Sequence, residues 1–461
     1  MADLLCTELP YHGDGAALFE AVADRPWAVF LDSGCCHPAR ARYDILAAEP
    51  YATVVTRGKM TEVRGGINEL SREDPFALLG RHLGIGKQPA RGLPFSGGAI
   101  GYFGYDLARR FERLPESAAD DVRMPEMAVG LYDWAVVVDH HERRGWLVGG
   151  RRADTRTRWR EFVARFSAPA AERARRPFCI TAAPSSNLGP DAYAMAFERA
   201  LRYIDAGDCY QVNLAQRFSA PFRGDPWLAY QALRIVNPAP HAAYLNTPYG
   251  QILSASPERF LKVEGDRVET RPVKGTRARA GHPRLDAGIM HDLQSSEKDR
   301  AENLMIVDLL RNDLSKNCAH GSVKVPKLFE IESFATVHHL VSTVTGRLRG
   351  DRDALDLLRG CFPGGSITGA PKLRAMQIIE ELEPHRRGVY CGAIGYIGQD
   401  GGMDTSIIIR TLICAGGKVY FSAGGGIVAD SRLADEYQET FDKAAAVLNL
   451  MQRSLPGRAG G

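Results

Sequence analysis

Hydrophobic positions along the chain fall into two regimes. Up to about residue 165 they form short runs or alternations that end in Gly, Ser or Asp, as in "WAVFLDSG", "ATVVTRG" and "AVVVDHHERRGWLVGG". Such runs predict strands, and the third predicts a hairpin. From 151 to 176 the chain is polar and rich in Ala and Arg, which reads as helix and linker. "APSSNLGP" (183–190) is a breaker cluster, and a helix is predicted from Asp191 to about Ala206. Apolar residues at 304, 305, 307, 309 and 310 predict a helix from Ser295 to about Asn312. Further helices are predicted over Pro371–Leu382, with proline in the first turn, and from Ala434 to about Met451. Between them lie the strand patterns "AYLNT", "QILSASPERFLKV", "VYCGAIGYIG" and "TSIIIRTLICAGGKVYFSAGG". These strands come in hairpin-like runs, not in strict alternation with helices, so the class expected is α+β with antiparallel sheets.

The 461 residues suffice for two lobes. The expected division is an N-terminal lobe over 1–165, a linker over 166–189 and a second lobe over 190–455. Gly98–Asp106 and Gly392–Asp400 match at seven of nine positions, which points to one strand-and-turn element present once in each lobe. Their glycines predict bends or close backbone approach.

Composition removes several function classes. Apolar residues make up 45% and charged residues 25%, as in ordinary globular proteins, and the net charge is only +3. Arginine clusters at 151–160 and 171–176 are not interleaved with aromatics, so they read as solvated faces and nucleic acid is not expected as a partner. No run of about 18 apolar residues predicts a membrane span. Nine scattered cysteines, with Cys35 and Cys36 adjacent and no CxxC pair, fit a reducing compartment. With no signal-peptide pattern, the expected location is cytoplasmic.

The candidate chemistry is dispersed. Asp299 and Glu302, and Glu436 and Glu439, are carboxylate pairs at i and i+3 on two predicted helices. Two such pairs suit a hard cation such as Mg²⁺, or form acidic faces paired with Lys298, Arg300 or Lys443. "FPGGSITGAPK" (362–372) is a glycine-rich turn entering a helix: an anion site, or only a helix start, and not a Walker loop. Gly424, Gly425 and Gly426 follow a predicted strand and could expose amides as an anion nest, with Arg410 as a clamp for a carboxylate. Glu258 in "SASPERF" is a general acid or a salt-bridge partner of Arg259 or a neighbouring lysine. His338 and His339 are adjacent, so one of them faces inward. Lys274, before a Gly-Thr turn in "RPVKGTR", is a solvated charge or a nucleophile.

In order and wording these stretches resemble the chorismate-utilising enzymes, the family of anthranilate and aminodeoxychorismate synthase components I and of the isochorismate and salicylate synthases. "DCYQVNLAQRF", "SASPERF", "RPVKGTRAR", "EKDRAENLMIVDLLRNDL", "FPGGSITGAPK", "SIIIRT" and "GGGIVADSRLADEYQETFDKA" carry the resemblance, and "LDSGCCHPARARYDILAAEP" and "SGGAIGYFGYD" extend it to the first lobe. It implies a two-lobed antiparallel β-sandwich with helices on the outer faces, like anthranilate synthase component I. Anthranilate enzymes typically have alanine where Lys274 stands, whereas a lysine there is similar to the aminodeoxychorismate branch. The water-adding members carry a general-base lysine where this chain has Gln211.

The resemblance then implies Lys274 as nucleophile, Glu258 as general acid and Mg²⁺ on Glu302 and Glu439, with Asp299 and Glu436 holding its waters. The family usually has glutamate at the place of Asp299. Tyr390, Arg410 and the Gly424–Gly426 amides would hold a substrate carboxylate, with Gly275, Thr276, His339 and Ser366 around the ring. At neutral pH, deprotonating a free lysine of pKa about 10.4 costs roughly 4.6 kcal/mol, so burial or cations must lower it, with Mg²⁺, Arg271, Arg277 and Arg410 as possible sources. No glutamine amidotransferase segment is recognisable, so a separate glutaminase subunit is expected to supply ammonia. Ser33, Arg42, Tyr43, Pro240 and His241 would line an amino-acid pocket, His241 replacing the usual Tyr or Phe.

Overall fold

The computed structural model describes residues 4–34, 42–86, 92–170, 173–334 and 337–453. Cys35 and Cys36, much of the "GCCHPAR" stretch and the end of the predicted second lobe lie outside them. The described cysteines are free thiols.

Strands of both sequence regions are continuous in two large antiparallel sheets, of 13 and 12 strands among the described residues. In the first sheet, Ala28–Asp32 pairs with His241–Thr247, so strands from before residue 150 run on into strands from after 210. In the second, Gly98–Phe103 pairs with Ala393–Gly398. These two strands are the two copies of the repeated motif, and they lie side by side with Gly101 opposite Gly395. A Cβ on Gly101 would come within 2.2 Å of the Ala128 carbonyl oxygen, and one on Gly395 within 2.1 Å of that of Asp404. Glycine at both places is therefore a packing requirement.

The two sheets stack with apolar residues between them and on both outer sides. Val29, Ile45, Ile100, Tyr102, Val137 and Ile394 fill the interior layer. Trp134, Val136, Val138, Phe162, Trp227 and Val447 form a core between the first sheet and its helices. Phe76, Phe103, Val129, Val307 and Leu357 do the same for the second. Within Gly98–Phe103, Ala99 and Phe103 face outwards to helices while Ile100 and Tyr102 face the interior. Both faces are covered, and the strand therefore reads as one apolar run. The architecture is the expected α+β sandwich with helices on the outer faces.

The predicted helices form over Pro190–Asp205, Glu297–Ser315, Lys372–Leu382 and Leu433–Arg453. Ser296 starts the second of these by accepting the Asp299 amide at 3.3 Å. Among the described residues no helix is long and apolar enough to cross a membrane.

Two chain segments pass from one sheet to the other at the same end of the sandwich. One is the break between Gly250–Ser256 and Arg259–Glu264, which contains Pro257 and Glu258. The other is the break between Met403–Ile407 and Thr411–Ala415, which contains Arg410 at φ 52°. The Ile407 amide donates to the Glu258 carbonyl at 3.1 Å and ties the two crossings together.

Candidate active site

A cavity of about 910 Å³ opens beside these crossings. It is lined by Glu258, Lys274, Gly275, Thr276, Asp299, Glu302, His339, Ser366, Tyr390, Arg410, Gly424, Gly426, Glu436 and Glu439. All the residues expected at a chorismate site line it except Gly425.

Glu258 is 6% exposed and accepts the Ser366 hydroxyl at 2.6 Å. Arg259 points elsewhere, to Asp404 and Glu269, so the salt-bridge alternative for Glu258 does not form. Burial pushes the Glu258 carboxyl up to about 7, against the Ser366 hydrogen bond and the charges of Lys274 and Lys443. Between about pH 4.5 and 7 the folded chain keeps a proton that the unfolded chain releases. Stability contributed by this group is therefore lost as pH rises through that window, on the order of 3 kcal/mol in full. Glu258→Gln is expected to be as stable as the parent at pH 5 and measurably more stable at pH 8. Thermal melts at the two pH values check this, and equal differences at both would contradict it.

Lys274 is partly buried in the strand Val273–Ala278 and forms no ion pair among the described residues. Burial lowers its pKa, Lys443 lowers it further, and Glu302, Glu258 and Glu439 act against them. Arg271, Arg277 and Arg410, the possible arginine sources, are not among its largest influences. Arg271 is bonded to Glu332, and Arg277 donates to Asp299 at 2.7 Å. The sequence offers Lys443 only as an ion-pair partner for an acidic helix face, and it does pair with Glu439, at 2.5 Å. Its position four residues after Glu439 was the available signal.

His339 accepts or donates at Nδ1 with Thr276 Oγ1, at 2.8 Å, while His338 turns away to Asp286 and Ser333. Arg410 lines the cavity with no carboxylate partner among the described residues, and burial lowers its pKa. A half-buried cation without a counter-charge favours an anionic ligand.

The three glycines do not follow a strand as a loose nest. They lie inside the strand Lys418–Ile427, paired with Ala215, Leu214 and Asn213. Alternation then turns Gly425 towards the last helix, behind the carboxylates that line the cavity. A Cβ there would sit 2.9 Å from Glu436 Oε2 and 3.6 Å from Glu439 Oε1. Gly425 thus makes room for the carboxylates. A Cβ on Gly426 would lie 1.9 Å from Gln211 Nε2, and both amide atoms of the fully buried Gln211 are without a partner among the described residues.

Among the described residues no three His, Cys, Asp or Glu side chains form a ready-made metal cage. The donor set nevertheless fits Mg²⁺, which takes one or two carboxylates and fills its remaining positions with water and substrate oxygens. Glu436 Oε2 is buried without a partner among the described residues, while its Oε1 accepts from Ser431 at 2.7 Å. Burial raises the pKa of Glu302 and of Glu436, and the nearby Glu439 adds to both. A divalent cation relieves such crowding of negative charge. Asp299 lines the same cavity, adds to the raised pKa of Glu302 and is ion-paired with Arg277.

A second cavity, of about 1060 Å³, is lined by Ser33, Arg42, Tyr43, Pro240 and His241 together with Arg259, Tyr396 and Asp404. Ser33 is hydrogen-bonded to Asp44 at 2.7 Å and Arg42 to Asp139 at 2.7 Å, so both have structural partners. Burial and the neighbouring Arg259 hold His241 at about 3, leaving it neutral.

Known proteins place this geometry. The chain is 49% identical to aminodeoxychorismate synthase component 1 of Klebsiella aerogenes, over 96% of this chain and 98% of the relative. It is 41% identical to anthranilate synthase component 1 of Streptomyces coelicolor, over 91% and 85%. The solved structure of anthranilate synthase component I from Streptococcus pneumoniae superposes with a TM-score of 0.79 at 34% identity, over 88% of this chain and 92% of that one. Residues 29–449 match the family described as chorismate binding enzyme, and the chain belongs to that family.

Proposed function

We propose that this chain converts chorismate and ammonia to 4-amino-4-deoxychorismate and water, the reaction named by its 49%-identical relative. The observation that carries the reading is a lysine with a lowered pKa in one cavity with a carboxyl raised to about 7. An amine shifted towards its free form thereby stands with a carboxyl that keeps its proton towards neutral pH.

The Lys274 Nζ attacks carbon 2 of the ring. Both conjugated ring double bonds shift, from C1=C2 and C5=C6 to C1=C6 and C4=C5, and the carbon 4 hydroxyl leaves as water on receiving the Glu258 proton. Ammonia then attacks carbon 4, both double bonds return, the lysine leaves as the free amine, and Glu258 regains a proton from the new ammonium. Two allylic displacements restore the original stereochemistry. Arg410 and Tyr390 hold a substrate carboxylate, while Thr276 orients His339 against the ring. Glu302, Glu436 and Glu439 would hold Mg²⁺, which supplies charge neutralisation at the ring carboxylate when bound. Asp299 steadies Arg277 at the rim. Ammonia comes from a separate glutaminase subunit, consistent with the relative's designation as a component. The second cavity is an amino-acid site, with neutral His241 on its wall.

Incubation with chorismate, an ammonium salt and Mg²⁺ is expected to give 4-amino-4-deoxychorismate. Fluorescent anthranilate as the main product would replace this reading with that of the Streptomyces relative. Chelation is expected to stop turnover and added Mg²⁺ to restore it. Glu436→Gln should raise the Mg²⁺ concentration needed for half-maximal rate.

A further inference from the structure

Arg387 is the most fully committed cation on the cavity wall. It is 8% exposed and donates to both oxygens of Glu383, at 2.9 and 2.6 Å. It also donates to the Ile367 carbonyl at 2.9 Å and the Asn213 carbonyl at 3.0 Å. Glu383 in turn accepts the Ala215 amide at 3.0 Å. The guanidinium carbon lies 5.8 Å from the centre of the Tyr390 ring, and the Tyr390 amide donates to the Arg387 carbonyl at 3.1 Å. One planar group therefore joins the turn that bears Ser366, the strand Gln211–Arg223 and the segment that bears Tyr390.

We infer that Arg387, clamped by Glu383, is a positioning residue that fixes the Ser366 hydroxyl on Glu258. Ile367 is the next residue after Ser366, and Asn213 Nδ2 holds the Ser366 carbonyl at 3.1 Å, so both sides of that turn are anchored through the same pair. A lysine could not replace it, because an ammonium lacks the planar fork that reaches two carbonyls and a carboxylate together. Buried ion pairs are often dispensable for stability when replaced by apolar groups, so stability alone does not account for this one. The charged and titratable groups facing Glu258 are Lys274, Lys443 and the Cys391 thiol. Arg387 acts on Glu258 through Ser366. The inference rests on the acid role given to Glu258 above.

The test compares Arg387→Lys, Glu383→Gln, Ser366→Ala and the Arg387→Lys/Ser366→Ala double variant. It follows chorismate loss against pH with saturating ammonium and Mg²⁺. The Ser366 hydrogen bond favours ionised Glu258, so its loss keeps the acid protonated to higher pH. Arg387→Lys is expected to move the basic limb upwards, as Ser366→Ala does, with kcat down about tenfold and KM within about twofold. Glu383→Gln should shift it the same way by less. The double variant should show no further shift, because the two changes act through one contact. An unmoved limb in both Arg387→Lys and Glu383→Gln, or multiplicative losses in the double variant, overturns the inference. Chorismate loss is read whatever the product, so a different product would remove the proposed reaction and leave this result interpretable.

Discussion

Lys274→Arg and Lys274→Ala are both expected to lose on the order of a thousandfold in kcat with ammonium as donor, about 4 kcal/mol of barrier. The arginine variant is the more informative. It keeps a positive charge beside Glu302, Glu258 and Glu439 but cannot supply a free amine at any accessible pH. If Lys274 only balanced those carboxylates, Lys274→Arg would remain active, and the nucleophile assignment would be lost. The parent chain, given chorismate and Mg²⁺ without ammonia, should accumulate an adduct. Its mass is that of chorismate less water, located by peptide mass spectrometry at Lys274. The pH profile has a definite sign. Burial and Lys443 lower the lysine pKa, so the free amine appears as pH rises through a value below that of an ordinary lysine. Lys443→Gln should move that acidic limb upwards.

Glu258→Gln is expected to lower kcat by about a hundredfold to ten-thousandfold, the usual worth of a placed general acid. The amide keeps the shape and can still accept the Ser366 hydroxyl, but it has no proton to give to the departing water. In the parent the acid is protonated below about 7, so activity should fall as pH rises through that value. In Glu258→Gln the fall should vanish from the residual rate. A substrate carrying a better leaving group than hydroxyl at carbon 4 should recover most of the loss. A profile unchanged by the substitution would mean that the proton comes from elsewhere.

Which residues were legible in advance follows from what each signal measures. Helix spacing placed Asp299 with Glu302 and Glu436 with Glu439, because i and i+3 share a face in any helix. Strand patterns found the elements and the antiparallel class. The sequence did not reveal that Gly424–Gly426 are ladder-paired within a strand, because the partner strand lies about 210 residues away in sequence. Nor did it show that Arg277 holds Asp299, or that Lys443 lines one cavity with Lys274, since these arrangements join separate elements. Arg387 carried no local signal, because its carbonyl partners at Ile367 and Asn213 come from other elements. Glu258 and Arg410 were visible as unusual charges beside strands. Their meaning came from the sheet-to-sheet crossings, which only tertiary structure displays.

The pairing of the two repeated glycine-rich strands bears on how the molecule comes apart. Gly98–Phe103 and Ala393–Gly398 are neighbours in mid-sheet, and Ala28–Asp32 and His241–Thr247 form the matching junction in the other sheet. Each half therefore ends in two open sheet edges that only the other half can satisfy. The halves should melt in one cooperative transition instead of two. A chain severed between 166 and 189 should give fragments that aggregate when alone and reassemble when mixed. The two lobes expected from the sequence would then share one folding unit through their common sheets.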